Sequence, residues 1–272
     1  ALRRLWLFRS AVTDGAFAQV STLAELESLH LAGTRISAAA LAEVAKLKKL
    51  RALDIDETAV GDAGLGALRA MPALREISFQ GMRGVGPSGL AALAALRRLE
   101  ILNLGFAEIG SVAELGASRS LRELHLHRAT VNDALAAGIG KIKTLRVLSL
   151  SYTPVGDAAL PALAALPQLT TLHLVATNVT DGGLKGLAPA KALVELDLSV
   201  TEVGDAGIDG LKTLPKLTSL ILRGTKLTDA GLEKLAAMES LVNLDVTGTA
   251  VTADGAAKLA AARPKLNLAR PE

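Results

Sequence analysis

One spacing governs this sequence. The pattern L-x-x-L-x-L, with occasional Ile, Phe or Val substitutions, starts at Leu2, Leu26, Leu50, Leu74, Leu99, Leu121, Leu145, Leu169, Leu193, Leu217 and Leu241. Those eleven starts are 24 residues apart everywhere except after Leu74, where the step is 25, and after Leu99, where it is 22. A period of this length builds a stack of similar layers, since one unit cannot bury its own leucines. The unit from Leu193 to Pro215 reads LVELDLSVTEVGDAGIDGLKTLP and contains two periods. Leu196 and Leu198 alternate as in a strand, whereas Ile208, Leu211 and Leu214 recur at helical spacing. Between the two halves stands an Asp (Asp14, Asp62, Asp157, Asp181, Asp205, Asp229), expected to cap the amides of the helix that follows it. The fold predicted is α/β: a right-handed solenoid shaped as a horseshoe, with a parallel sheet on the concave side and helices on the convex side.

Composition agrees and narrows the functions. Half of the 272 residues are hydrophobic but only six are aromatic (four Phe, one Trp, one Tyr), so the core must be aliphatic. Thirty basic residues stand against 27 acidic ones, a net charge of +3 with the signs mixed, which leaves no basic stripe for a row of phosphates and argues against nucleic acid. The absence of cysteine removes disulfides, thiolate metal sites and cysteine nucleophiles without fixing a compartment. No apolar stretch approaches the roughly 20 residues that span a bilayer, so a soluble chain is expected. The repeat is already running at Leu2, and the expectation is one domain over 1–272, a fragment of a longer chain.

These residues resemble the leucine-rich-repeat family, and the match runs from Leu2 to about Leu268. The segment T-x-V-[TG]-D-A-G-L is similar to the bacterial, ribonuclease-inhibitor-like and GALA-type repeats, with Thr at Thr34, Thr58, Thr153, Thr177, Thr201, Thr225 and Thr249 where other members carry Asn or Cys. The resemblance implies that these hydroxyls bond backbone from layer to layer, as the Asn ladder does. It also implies a non-enzymatic scaffold that recognises other macromolecules, mostly proteins, on the concave sheet and its edge, with no cofactor or metal. Two alternatives accompany it: a reader of carbohydrate or a cell-surface polymer, with Trp6 and Tyr152 as stacking platforms, and the substrate-recognition part of a larger effector or enzyme.

Residues between and just after the strand leucines point out of the sheet. All four histidines, the Trp, the Tyr and two of the four Phe fall there, while Phe17 and Phe79 fall at core positions. Rings, Arg and His carry much of the energy of interfaces, so this is the expected binding face. Within it one zone is irregular: an insertion near Met82, Arg83 and Gly84, a two-residue deletion between Ser111 and Ser120, and Ala107 and Ala129 in the Thr position. Phe106, Arg128 and Tyr152 lie beside it on successive strands about 5 Å apart, with His125 and His127 next to them, and form the preferred partner-binding cluster. The competing reading is a drifted repeat whose gap Phe106 fills. A second patch holds Arg4, Trp6, Phe8, Arg9 and His30. His173 beside Asp197, and His30 beside Asp54, are expected to make partner binding vary between about pH 5 and 7.

Other chemistry reads poorly. Ser149, His173 and Asp197 occupy one position in three successive repeats, but an open sheet offers no oxyanion hole. His125 and His127 have no third ligand in reach, because His173 is two strands away. Gly84, Gly86 and Gly89 match G-x-G-x-x-G yet align with the ordinary repeat, placing Val85 and Leu90 at core positions. Asn178, Val179 and Thr180 form a glycosylation sequon that matters only in a glycosylating host.

Overall fold

A computed structural model describes residues 2–270; Ala1, Pro271 and Glu272 lie outside the described residues. The chain divides into two compact units, one of residues 1–130 with 141–145 and the other of 131–140 with 146–272. Each stacks layers of strand, turn and short helix.

In the first unit the strands are β1 (Arg4–Trp6), β2 (Ser28–His30), β3 (Ala52–Asp54), β4 (Glu76–Ser78), β5 (Ile101–Asn103) and β6 (Glu123–His125). They pair in chain order, all parallel, and their central residues Leu5, Leu29, Leu53, Ile77, Leu102 and Leu124 stand in one register. The second unit repeats this with β7 (Val147–Ser149), β8 (Thr171–His173), β9 (Glu195–Asp197), β10 (Ser219–Ile221), β11 (Asn243–Asp245) and β12 (Asn267–Ala269), aligned on Leu148, Leu172, Leu196, Leu220, Leu244 and Leu268. The leucine pattern gives eleven starts, so β12 is an addition. Lys265 occupies the first leucine position there and hides the strand from the pattern.

Between strand and core-facing leucines, the layers fill with Leu, Ile, Val and Ala, and the two core rings, Phe17 and Phe79, are fully buried. The return segments are short helices, several of them 3-10. The deletion after Gly110 is absorbed by a 3-10 helix at Ala113–Ala117, whose greater rise per residue covers the span with fewer residues. In the insertion Gly81 and Gly84 take positive φ, Met82 turns into the core, and Val85 and Leu90 are buried as the repeat alignment requires. The amides of Gly86 and Gly89 both donate to the Asp62 carboxylate, so this glycine run is already occupied by a carboxylate of its own chain.

Two side-chain roles differ from the sequence reading. The Thr hydroxyls do not run from layer to layer. Thr34, Thr153, Thr177, Thr201 and Thr225 each donate to the carbonyl three residues earlier, at 2.6–2.7 Å, closing their own turn. At this position the hydroxyl is spent on its own turn, whereas at the strand entries Thr144 and Thr170 do donate to carbonyls of the preceding layer, those of Leu121 and Arg146. The Asp residues do join layers. Asp157 accepts from the Thr180 amide and hydroxyl (2.8 and 2.7 Å), Asp205 from those of Thr228 (2.8 and 2.6 Å), and Asp229 from those of Thr252 (2.8 and 2.6 Å). Each of those Thr oxygens in turn accepts an amide of its own helix. Capping thus falls to Ser37, Asn132, Thr180, Thr228 and Thr252, and at the Ser and Thr caps the carboxylate holds the cap of the following repeat.

Candidate functional site

The outward face of each sheet is assembled by the strand alternation, and the turn after each of β1 to β11 adds one residue with left-handed backbone. That position is Arg9, Gly33, Glu57, Gly81, Phe106, Arg128, Tyr152, Ala176, Val200, Gly224 and Gly248, and all eleven have φ between 51° and 71°. Seven are not glycine. An L-residue pays roughly 1–2 kcal/mol to stand there, so Phe106, Arg128 and Tyr152 are displayed against a local preference. The sequence reading missed this conformation, although Gly33, Gly81, Gly224 and Gly248 at one register signalled it.

In the first unit two ring clusters form. Trp6 stacks on His30 with centroids 5.7 Å apart and planes 8° from parallel. His30 continues the row, its Nδ1 3.5 Å from Asp54 Oδ2 and its Nε2 2.9 Å from Ser28 Oγ. The expected His30–Asp54 pair is therefore present. Burial raises the Asp54 pKa above the ordinary aspartate value and the neighbouring Asp56 charge adds to this, against the opposing pull of the Asp56 amide and His30. Asp56 is well satisfied, accepting from Ser78 Oγ, the Gln80 amide and Gln80 Nε2 at 2.6–2.8 Å.

The second cluster joins three of the predicted residues. Phe106 meets His127 edge to face at 5.3 Å, and the Arg128 guanidinium lies over the Phe106 ring at 5.6 Å. Gly105 makes room for it, since a Cβ there would collide with the His127 ring. Burial lowers the His127 pKa, and the charges of His125 and Arg128 push the same way, so a neutral imidazole sits beside the guanidinium at pH 7. His125 faces Glu123 of its own strand at 3.7 Å. Tyr152 belongs to the second unit, where it is half exposed on the turn after β7.

His173 departs from expectation. Its Nε2 lies 3.1 Å from Glu195 Oε1, while Asp197 Oδ1 accepts the amide and hydroxyl of Ser199. The Ser149, His173, Asp197 row is thus split between other partners, and Ser149 is buried. Among the described residues no group of three His, Asp or Glu is placed to hold a metal ion, and no helix is long and apolar enough to cross a membrane.

A family model for the leucine-rich repeat matches residues 46–68 and 213–236. No curated protein sequence matches the chain. Solved structures with a similar fold include an internalin (InlF) of Listeria monocytogenes, 19% identical, with a TM-score of 0.65 over 98% of this chain and 86% of the internalin. A leucine-rich-repeat protein of Leptospira interrogans is 18% identical, with a TM-score of 0.66 over 92% of this chain and 74% of that one. A plant peptide hormone receptor, RGFR1, solved in complex with RGF2, is 16% identical, with a TM-score of 0.57 over 92% of this chain and 40% of the receptor.

Proposed function

We propose that this leucine-rich-repeat chain is a non-enzymatic recognition module that engages a protein partner through the outward face of its strands and the turns that follow them. The observation that carries the reading is the sorting of rings. Trp6, Phe8, Phe106 and Tyr152 are 51–62% exposed and all lie on that face or its turns, whereas Phe17 and Phe79 are fully buried. Large exposed rings held by neighbours are the composition of interface anchors. Phe106 in particular is fixed by His127 and Arg128, so little side-chain freedom remains to be lost on binding. The peptide complex of the plant receptor supports the same use of this architecture.

The test is an affinity pull-down from the source lysate and secreted fraction with three immobilised forms. These are the wild type, Phe106→Ala/Arg128→Ala/Tyr152→Ala, and Lys185→Ala/Glu233→Ala on the helices. A protein retained by the first and third and lost by the second is the expected result. Equal retention by all three refutes the Phe106, Arg128 and Tyr152 cluster as the site and moves it to the Trp6 and Phe8 patch or to the helices, and retention of glycan but no protein replaces the protein reading with the carbohydrate one that exposed Trp6 and Tyr152 would serve.

A further inference from the structure

The rings on β1 and the charges two strands away belong to one open face of the first unit. Trp6 and Phe8 are among the most exposed large apolar side chains among the described residues. Trp6 has His30 against one side of its ring. Across β2 to β5, the charged residues at outward positions and left-handed turns, histidine aside, are Asp54, Asp56, Glu57 and Glu76, without a lysine or arginine among them. Arg51 and Arg75 stand at the strand entries, where Arg75 is held by Glu100 at 2.9 Å, and Arg4 and Arg9 belong to β1 and its turn. Of the four carboxylates, Asp56 spends its oxygens on Ser78 and Gln80, whereas Asp54 accepts one amide at 3.1 Å and has the His30 ring 3.5 Å away, and Glu57 and Glu76 are exposed.

This is an aromatic platform beside a patch of negative charge that holds no lysine or arginine of its own, and the two are separated by a fixed distance. From β1 to β3 is two strand spacings, about 9.6 Å. Three residues of polyproline-II chain span about 9.3 Å and return the side chain to the same side. We propose that the β1 to β4 face of the first unit binds a peptide segment in polyproline-II conformation in which a lysine or arginine stands three residues from an apolar or aromatic side chain. The ring seats against Trp6 and Phe8, and the cation lies over Asp54 and Glu57. Asp54 suits the task because, among the described residues, no lysine or arginine pairs with its half-buried carboxylate and only the His30 ring stands beside it, at 3.5 Å, so a cation from the ligand gains more there than on a solvated carboxylate. The inference rests on the protein-recognition reading and supplies the partner's chemistry.

A random nonapeptide library displayed on phage and selected on the immobilised chain tests it. The enriched peptide is then synthesised and titrated while the emission of Trp6, the one tryptophan in the chain, is followed. The expected consensus places Lys or Arg three residues from a ring or branched aliphatic, with an emission change on binding. Asp54→Asn/Glu57→Gln should weaken binding about tenfold, as should 0.5 M salt, and replacing the peptide's cation by Glu should abolish it. An acidic or uncharged consensus, no consensus, or an affinity that the double variant leaves unchanged overturns the proposal. So does a concentration-dependent change in Trp6 emission without peptide, which would assign the face to a second copy of the chain. None of these results bears on the pull-down, which tests recognition itself.

Discussion

The row of left-handed turns makes a stability experiment with an internal control. Ala176 and Gly224 hold the same turn position two repeats apart in the second unit, with φ of 51° and 61°. Their amides make equivalent bonds, to Ser199 O at 2.8 Å and Thr247 O at 2.9 Å, which no side chain enters. A Cβ built on Gly224 meets nothing nearer than Val200 Cγ2 at 3.8 Å, so Gly224→Ala adds backbone strain and no collision. The left-handed conformation costs an L-residue roughly 1–2 kcal/mol. Glycine's larger freedom in the unfolded chain offsets about 0.5–1 kcal/mol of this. The difference predicts that Gly224→Ala destabilises by about 0.5–1 kcal/mol and that Ala176→Gly stabilises by a similar amount. Urea denaturation followed by circular dichroism reads both as opposite shifts in midpoint at constant slope, and the melting temperature should move by about 1–4 °C each way. The double variant should return close to wild type, because sites two strands apart add nearly independently. A neutral Gly224→Ala or a destabilised Ala176→Gly would refute the assignment of strain to this position.

Four further outcomes follow from the contacts. Asp205→Ala leaves the Thr228 cap without its acceptor and should cost about 1–2 kcal/mol, with faster hydrogen exchange confined to the Asp229–Ala236 helix and its neighbours. Ser37, through its hydroxyl and then its amide, holds the Asp14 carboxyl below the ordinary aspartate value. The folded state therefore binds this proton less readily than the unfolded one, and the stabilisation is complete above about pH 4 and lost as pH falls below it; Ser37→Ala should flatten that limb of an acid-denaturation curve. Gly105→Val should displace the His127 ring, and proton NMR should then record the His127 titration moving up toward an ordinary imidazole as burial is relieved. Arg263 donates to the carbonyls of Ala236, Met238, Glu239 and Leu241, so Arg263→Ala should cost about 2 kcal/mol and loosen β11 and β12 first.

The periodic part of the molecule was legible because each leucine position is set by burial alone, and burial has a period. Leu196, Leu198, Ile208, Leu211 and Leu214 could be placed from the sequence, and all are buried. What failed depends on reach. Asp and Thr were recognised as helix-start and turn residues, but only coordinates show that a carboxylate at Asp205 extends to the next layer while a Thr225 hydroxyl returns to Leu222 in its own. His173 had Glu195 and Asp197 on the adjacent strand within range, both on the outward side. Alignment by register picks Asp197, yet an imidazole leans along the strand, and Asp197 is already engaged by Ser199. At the C-terminal end, Lys265 and Arg270 stand at two of the three leucine positions and only Leu268 continues the pattern.

The same distinction bears on where recognition can evolve in such a chain. Core positions are fixed by burial and cap positions by the Asp and Thr contacts, so variation is left to outward strand residues and to the left-handed turn. The turn is the more restrictive of the two, since glycine is favoured there by the backbone at every repeat. Four of the eleven positions keep glycine, while Arg9, Glu57, Phe106, Arg128, Tyr152, Ala176 and Val200 do not. For Ala176 nothing offsets the strain, which is why it serves as the stability control. For Phe106 and Arg128 the ring and guanidinium contacts return part of it within the first unit, and an interface would return more. Phe106→Gly should accordingly be close to neutral in folding while abolishing retention of the partner, whereas a substantially unfolded Phe106→Gly chain would mean that the ring fills a gap in a drifted repeat and is there for packing.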